Sequence, residues 1–79
     1  MVKKIEVFDS EGSFRETFEQ AKSAVRGLGL SVDVEYVTDF IKVLKAGGSP
    51  LPIIAIDGRV VSSGKTLSSD EIKEIILWI

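Results

Sequence analysis

The sequence predicts an α/β domain in the order strand, helix, strand, helix, strand, strand, helix, with one four-stranded mixed sheet and helices on both faces. Three observations predict it. Two alternating stretches flank an amphipathic helical stripe near the start, an Asp-Gly pair joins two short strands further on, and a capping signature opens a second amphipathic stripe at the end. The strand–helix–strand unit crosses over right-handed and makes a parallel pair. The hairpin adds antiparallel strands. With 79 residues the chain reads as a single domain over 1–79.

Lys3 to Phe8 alternates, with Ile5 and Val7 on one face and Lys4, Glu6 and Phe8 on the other, as a strand does. Asp9 to Gly12 is polar and ends it. Ser13 and Glu16 have the capping-box spacing for a helix start. Phe14, Phe18, Ala21, Val25 and Leu28 then recur at steps of four and three, which makes one apolar stripe. Gly29 suits the left-handed closing position. Ser31 to Val37 alternates again, Val32, Val34 and Tyr36 against Asp33 and Glu35. One face meets water, so this strand is expected at a sheet edge. Asp39 can cap a short helix over Phe40 to Ala46, with Ile41 and Leu44 directed inward and Gly47-Gly48-Ser49-Pro50 ending it.

Leu51 to Ile56 is the most apolar run and reads as a buried strand with prolines only at its start. Either a trans Pro52 or a cis Leu51-Pro52 bond fits that position. A cis bond would turn the Leu51 main chain outward, where it could pair with an extended peptide. Asp57-Gly58 is a two-residue hairpin turn and Arg59 to Ser63 the returning strand. Ser68 and Glu71 repeat the capping-box signature. Ile72, Ile75, Ile76 and Ile79 form the last stripe, and Leu77 and Trp78 widen it beyond what one small sheet needs. Leu77, Trp78 and Ile79 are therefore a candidate association surface, with a homodimer as one outcome.

Composition excludes more than it assigns. Hydrophobic residues are 44% and charged residues 28%, which suits a globular chain. Ten basic against twelve acidic residues give a net charge of -2, and the basic residues are scattered, so neither nucleic acid nor a membrane is expected as partner. No apolar run approaches the ~20 residues of a membrane helix. Glu6 and Asp9 interrupt any signal-like stretch behind the first lysines, and the expected location is cytoplasmic. There are no cysteines and no histidines. Dithiol, thiol-nucleophile and iron–sulfur chemistry are excluded, and the usual imidazole base and zinc ligand are missing.

The remaining chemistry is thin. Ser13 has no histidine partner and reads as a cap rather than a nucleophile. Asp9, Glu11 and Asp39 could meet at the ends of adjacent strands, either as oxygen ligands for a hard cation or as an acid–base pair. Their spacing matches no metal loop, and a solvated acidic rim is the better account of them. Gly47-Gly48-Ser49-Pro50 lacks the lysine of a phosphate loop, and Lys65-Thr66 after Gly64 lacks the motif's earlier glycine spacing and follows a hairpin. No catalytic, cofactor-binding or metal-binding residue is assigned, and no cofactor is expected.

With these elements placed, the chain resembles the small thioredoxin-like, glutaredoxin-sized proteins of bacteria and archaea. Ile5-Glu6-Val7-Phe8 looks like the opening strand, and Ala21, Ala24-Val25 and Leu28-Gly29 like the first helix and its glycine stop. Leu51-Pro52, then Ile53 to Ile56 and Asp57-Gly58, resembles the family's cis-proline strand and hairpin. Gly64 and Ser69 to Lys73 resemble its link into the last helix. The resemblance implies a thioredoxin-like fold and a Cys-x-x-Cys at the start of the first helix. The matching positions hold Glu11 and Phe14, with Gly12-Ser13 between them, in a loop about one residue shorter. Neither residue can exchange a disulfide, so the resemblance does not carry the family's activity here. It carries only the cis-proline role, onto Pro52.

Two classes of function follow. The first is a redox-inactive binding or assembly module whose groove is formed by Glu11, Gly12, Ser13, Phe14, Leu51 and Pro52, with a protein or peptide as partner. Phe14 would be its apolar anchor if exposed, and otherwise the head of the helical stripe. The second is a small non-thiol enzyme using the carboxylates near the start of the first helix.

Overall fold

A computed structural model of the chain describes residues 2–12 and 15–79. The elements are β1 (Lys4–Phe8), α1 (Glu16–Gly27), β2 (Asp33–Val37), α2 (Phe40–Lys45), β3 (Ile53–Ile56), β4 (Arg59–Ser63) and α3 (Ser69–Trp78). The sheet order is β2-β1-β3-β4, with β1 and β2 parallel and the other pairs antiparallel. Order, mixed sheet and the edge position of β2 are those expected from the sequence.

Alternation sorts the strands between two layers. Ile5, Val7, Ile54 and Ile56 face α1 and α3, where Ala21, Ala24, Val25, Ile72 and Ile76 close a core. Phe8, Val37, Ile53 and Ala55 face α2, where Val43 closes a smaller one. All four residues of β3 are buried because it lies inside the sheet under both layers.

The buried row of α1 is Thr17, Ala21, Ala24 and Val25. Phe18 and Leu28, two members of the expected stripe, are half-buried and pack against the same core. The inward row is small because α1 packs closely against α3. The Gln20 Oε1 accepts from the Ser69 N–H at 2.8 Å, and a Cβ on Gly27 would lie 2.5 Å from the Lys73 Cε. Arg15, at φ 58, is the N-cap residue and gives no side-chain cap bond. The capping expected of Ser13 lies outside the described residues. At the other end, Gly29 has φ 68, its N–H donates to the Arg26 carbonyl, and the Leu30 N–H donates to the Val25 carbonyl. This paired closure satisfies carbonyls that the last turn leaves open.

Asp39 caps α2, its Oδ1 accepting from the Ile41 and Lys42 N–H groups at 2.9 and 3.2 Å. The inward residue is Val43, whereas Phe40, Ile41 and Leu44 are exposed. The expectation for Ile41 and Leu44 is thus corrected. The entry at Asp39 sets the rotation of a six-residue helix, and Val43 and Ala46 share the side that meets the sheet.

The hairpin turn has φ 51 at Asp57 and φ 83 at Gly58, the pair of positive angles a tight turn between twisted strands requires. The Asp57 carboxylate also accepts from the Lys3 and Lys4 N–H groups, both at 2.8 Å, and so ties the hairpin to the start of β1. These bonds hold its pKa below the ordinary carboxylate value. The Ser68–Glu71 capping box is present in both directions. The Glu71 N–H donates to the Ser68 Oγ at 3.2 Å, and the Ser68 N–H donates to the Glu71 Oε1 at 3.0 Å. The Ser68 N–H likewise lowers the Glu71 pKa.

Candidate functional site

The end of β1 and the start of β3 come to the same end of the sheet, because Phe8 pairs with Ile53. The end of β2 joins them, as Phe8 also pairs with Val37 and the Asp9 N–H donates to the Val37 carbonyl at 3.0 Å. Asp9 to Gly12 therefore leaves the sheet beside the segment that delivers Leu51 and Pro52.

The β3 side of this end is built around two prolines. The Ser49-Pro50 and Leu51-Pro52 peptide bonds are both cis. The Pro50 carbonyl accepts from the Ser63 Oγ, and the Pro52 carbonyl accepts from the Gly64 N–H, each at 2.9 Å. Pro50 packs onto Gly64 so closely that a Cβ there would lie 2.5 Å from the Pro50 Cγ. Gly64 has φ 79 as well, so glycine is required on both counts. Leu51, between the two occupied carbonyls, rests its half-buried side chain on the smaller core. Among the described residues its own N–H and carbonyl take no hydrogen bond.

The β2 side is a depression of about 440 Å³ lined by Glu11, Gly12, Arg15, Tyr36 and Thr38. The Arg15 guanidinium lies 5.0 Å from the Tyr36 ring centroid, the Tyr36 and Phe18 rings are 5.1 Å apart, and the Lys22 ammonium is 4.6 Å from the Phe18 ring. Cation, two rings and cation thus form a row, each cation over a negative ring face. Arg15, Tyr36 and Thr38 were not among the residues the sequence nominated. Tyr36 carried the one available signal, as the last residue of the alternating apolar face of β2.

Of the nominated groove residues, Glu11 and Gly12 line this depression, while Leu51 and Pro52 lie on the β3 side and line no part of it. Ser13 and Phe14, with the nucleophile, cap and anchor roles weighed for them, lie outside the described residues. The acidic rim is occupied locally. The Asp9 Oδ1 accepts from the Ser10 N–H, and the Asp39 Oδ1 caps α2. Among the described residues no group of three side chains is placed to hold a metal ion, and no helix is long and apolar enough to cross a membrane.

The nominated association surface lies elsewhere. Leu77 is 71%, Trp78 88% and Ile79 54% exposed. Trp78 and Ile79 border a depression of about 340 Å³ with Leu67, Glu71, Glu74 and Ile75. Ile79 also borders one of about 200 Å³ with Val2, Ile56, Asp57, Arg59 and Val61.

The sequence matches the thioredoxin domain family over residues 3–77. It is 36% identical over 56 residues to a protein named thioredoxin in Methanothermobacter thermautotrophicus, a stretch covering 71% of this chain and 73% of that protein. No cysteine stands anywhere in the chain, so it has no dithiol with which to reduce or form a disulfide. Element order, sheet topology and the match along nearly the whole sequence agree, and the chain belongs to the thioredoxin domain family as a member without the redox cysteines.

Proposed function

We propose that the chain is a redox-inactive binding or assembly module that takes an extended protein or peptide segment at the end of the sheet that carries Glu11 and Gly12 on its β2 side and Leu51 and Pro52 on its β3 side. Ser13 and Phe14 complete the proposed surface, with Phe14 as its apolar anchor. The observation that supports this most is the state of Leu51. Its neighbours' carbonyls are occupied by Ser63 and Gly64, while its own main-chain groups take no partner among the described residues. An N–H and a carbonyl presented together at the mouth of a strand suit an extended chain, which supplies the complementary pair. The local use of the Asp9 and Asp39 carboxylates argues against the non-thiol enzyme. A cytoplasmic location is the expectation carried over from the sequence.

The test is selection of binders from a random-peptide library, followed by mapping of amide chemical shifts on the chain. Shifts centred on Gly12 and Leu51, and weakened binding on Phe14→Asp, are the expected result. Peptides that shift only amides remote from this end would contradict the reading.

A second reading, association of the chain with a second copy through its C-terminal surface, is favoured by the exposure of Leu77, Trp78 and Ile79.

A further inference from the structure

The sides of α3 are used differently. Ser69 and Lys73 meet α1 through Gln20 and Gly27, and Ile72 and Ile76 enter the core. Glu71, Ile75 and Trp78, at steps of four and three, share the side turned away from α1. That side looks toward the β4 edge of the sheet, because Ile79 at the end of the helix borders one depression with Arg59 and Val61 of β4. Arg59 and Val61 therefore point to the α3 face.

Charge is distributed along this side in a self-complementary way. The chain turns from Ser63 through Gly64 to Ser68, so α3 runs back along β4 with its first turn near Ser63 and its last near Arg59. Glu71 stands at the first turn of this side, with Glu74 one turn on and Arg59 at the opposite end, whereas Asp70 is held by Lys73 at 3.7 Å on the side toward α1. A two-fold axis perpendicular to the sheet and set just outside the free edge of β4, level with its middle, brings Arg59 of each copy toward the acidic turn of the other. It sets Ile75 toward Ile75 and Trp78 toward the depression lined by Leu67, Glu71 and Ile75. The same operation at the opposite edge, β2, would bring together two copies of Glu35, each already paired with Lys4 of its own chain at 3.6 Å, and so would gain no new ion pair at its centre. The two edges differ in the sense that favours β4.

We propose that a second copy of this chain occupies the β4–α3 side, related by that two-fold axis, with Trp78 and Ile75 as the apolar centre and Arg59 paired across it with the acidic side of α3. An isologous contact of this kind closes on itself at two subunits. β4 carries a bulge opposite the Ile54/Ala55 junction, so recognition falls to side chains on the α3 face rather than to a long ladder across the axis. The proposal rests on the second reading above and names its surface and symmetry.

Sedimentation equilibrium from about 1 μM to about 1 mM tests both levels. A reversible dimer is expected. Trp78→Ala should weaken it by roughly 30-fold or more, the loss typical of a central aromatic anchor. Arg59→Glu and Glu74→Arg should each weaken it severalfold, and the double variant should recover much of the loss. Glu35→Lys on the far edge should leave it unchanged. Circular dichroism verifies that each variant is folded. A monomer at every concentration would overturn self-association altogether. A dimer indifferent to Trp78, Arg59 and Glu74 would overturn the proposed face while leaving self-association standing.

Discussion

On the face covered by α1 and α3, ten of the described residues are buried in one apolar cluster, whereas on the face covered by α2 five are. The difference follows from helix length. α1 and α3 run for twelve and ten residues and each lays a repeated row against the sheet. α2 has six, and it reaches the sheet through Val43 with Ala46 beside it. The first layer thus supplies most of the apolar burial that holds the fold. The second leaves Phe40, Ile41 and Leu44 in water and covers only part of its face. Neighbouring Leu51 leans on this thinner layer, so the segment proposed to bind a partner is supported by the smaller core.

Truncations in the two layers should separate them. Ile54→Ala empties a position that is 1% exposed in the larger cluster, and a loss of about 2–5 kcal/mol is expected. Val43→Ala removes two methyl groups from the smaller cluster and should cost about 1.5 kcal/mol. Ile41→Ser, on the exposed side of α2, should stay within about 0.5 kcal/mol. Urea denaturation measures all three, and an Ile41 effect equal to that of Val43 would reverse the assigned rotation of α2.

The smallest expected effect concerns acid. Asp57 and Glu71 have folded pKa values below their ordinary values of 3.8 and 4.5, because main-chain N–H groups bind the ionised carboxylates. Their stabilisation is complete above those ordinary values and is lost as pH falls through the lowered ones. Both groups are exposed, so the contribution is modest. Asp57→Asn keeps an acceptor and tolerates positive φ, yet it removes the charge that titrates. Denaturation midpoints measured from pH 6 down to pH 2 should fall less steeply in this variant than in the parent chain. Parallel curves would show that Asp57 is not tied to the start of β1.

What could be read in the sequence was local. The Ser68–Glu71 box, the Asp57-Gly58 turn and the Gly29 closure each depend on a few adjacent residues, and each stands where the residues put it. The parallel pair of β1 and β2 followed from the crossover rule and the antiparallel pair of β3 and β4 from the hairpin, whereas the pairing of β1 with β3 between them was not read. Errors came where distant elements decide. Thr17 and Ala24 outrank Phe18 in burial because α1 must approach α3, which no spacing within α1 reveals. Six residues of α2 hold too little periodicity to set their own rotation. At the candidate site the residues before β3 were legible from Pro52. The partnership of Arg15 with Tyr36 joins a helix start to a strand end and has no local signature.

Hydrogen exchange at the Leu51 amide tests the central claim most directly, since the binding reading depends on that group being available. In the free chain it should exchange much faster than the amide of Ile54 in β3, and a peptide selected for binding should slow it markedly. A Leu51 amide as protected as that of Ile54 before any peptide is added, or unchanged after saturation, would contradict the proposal.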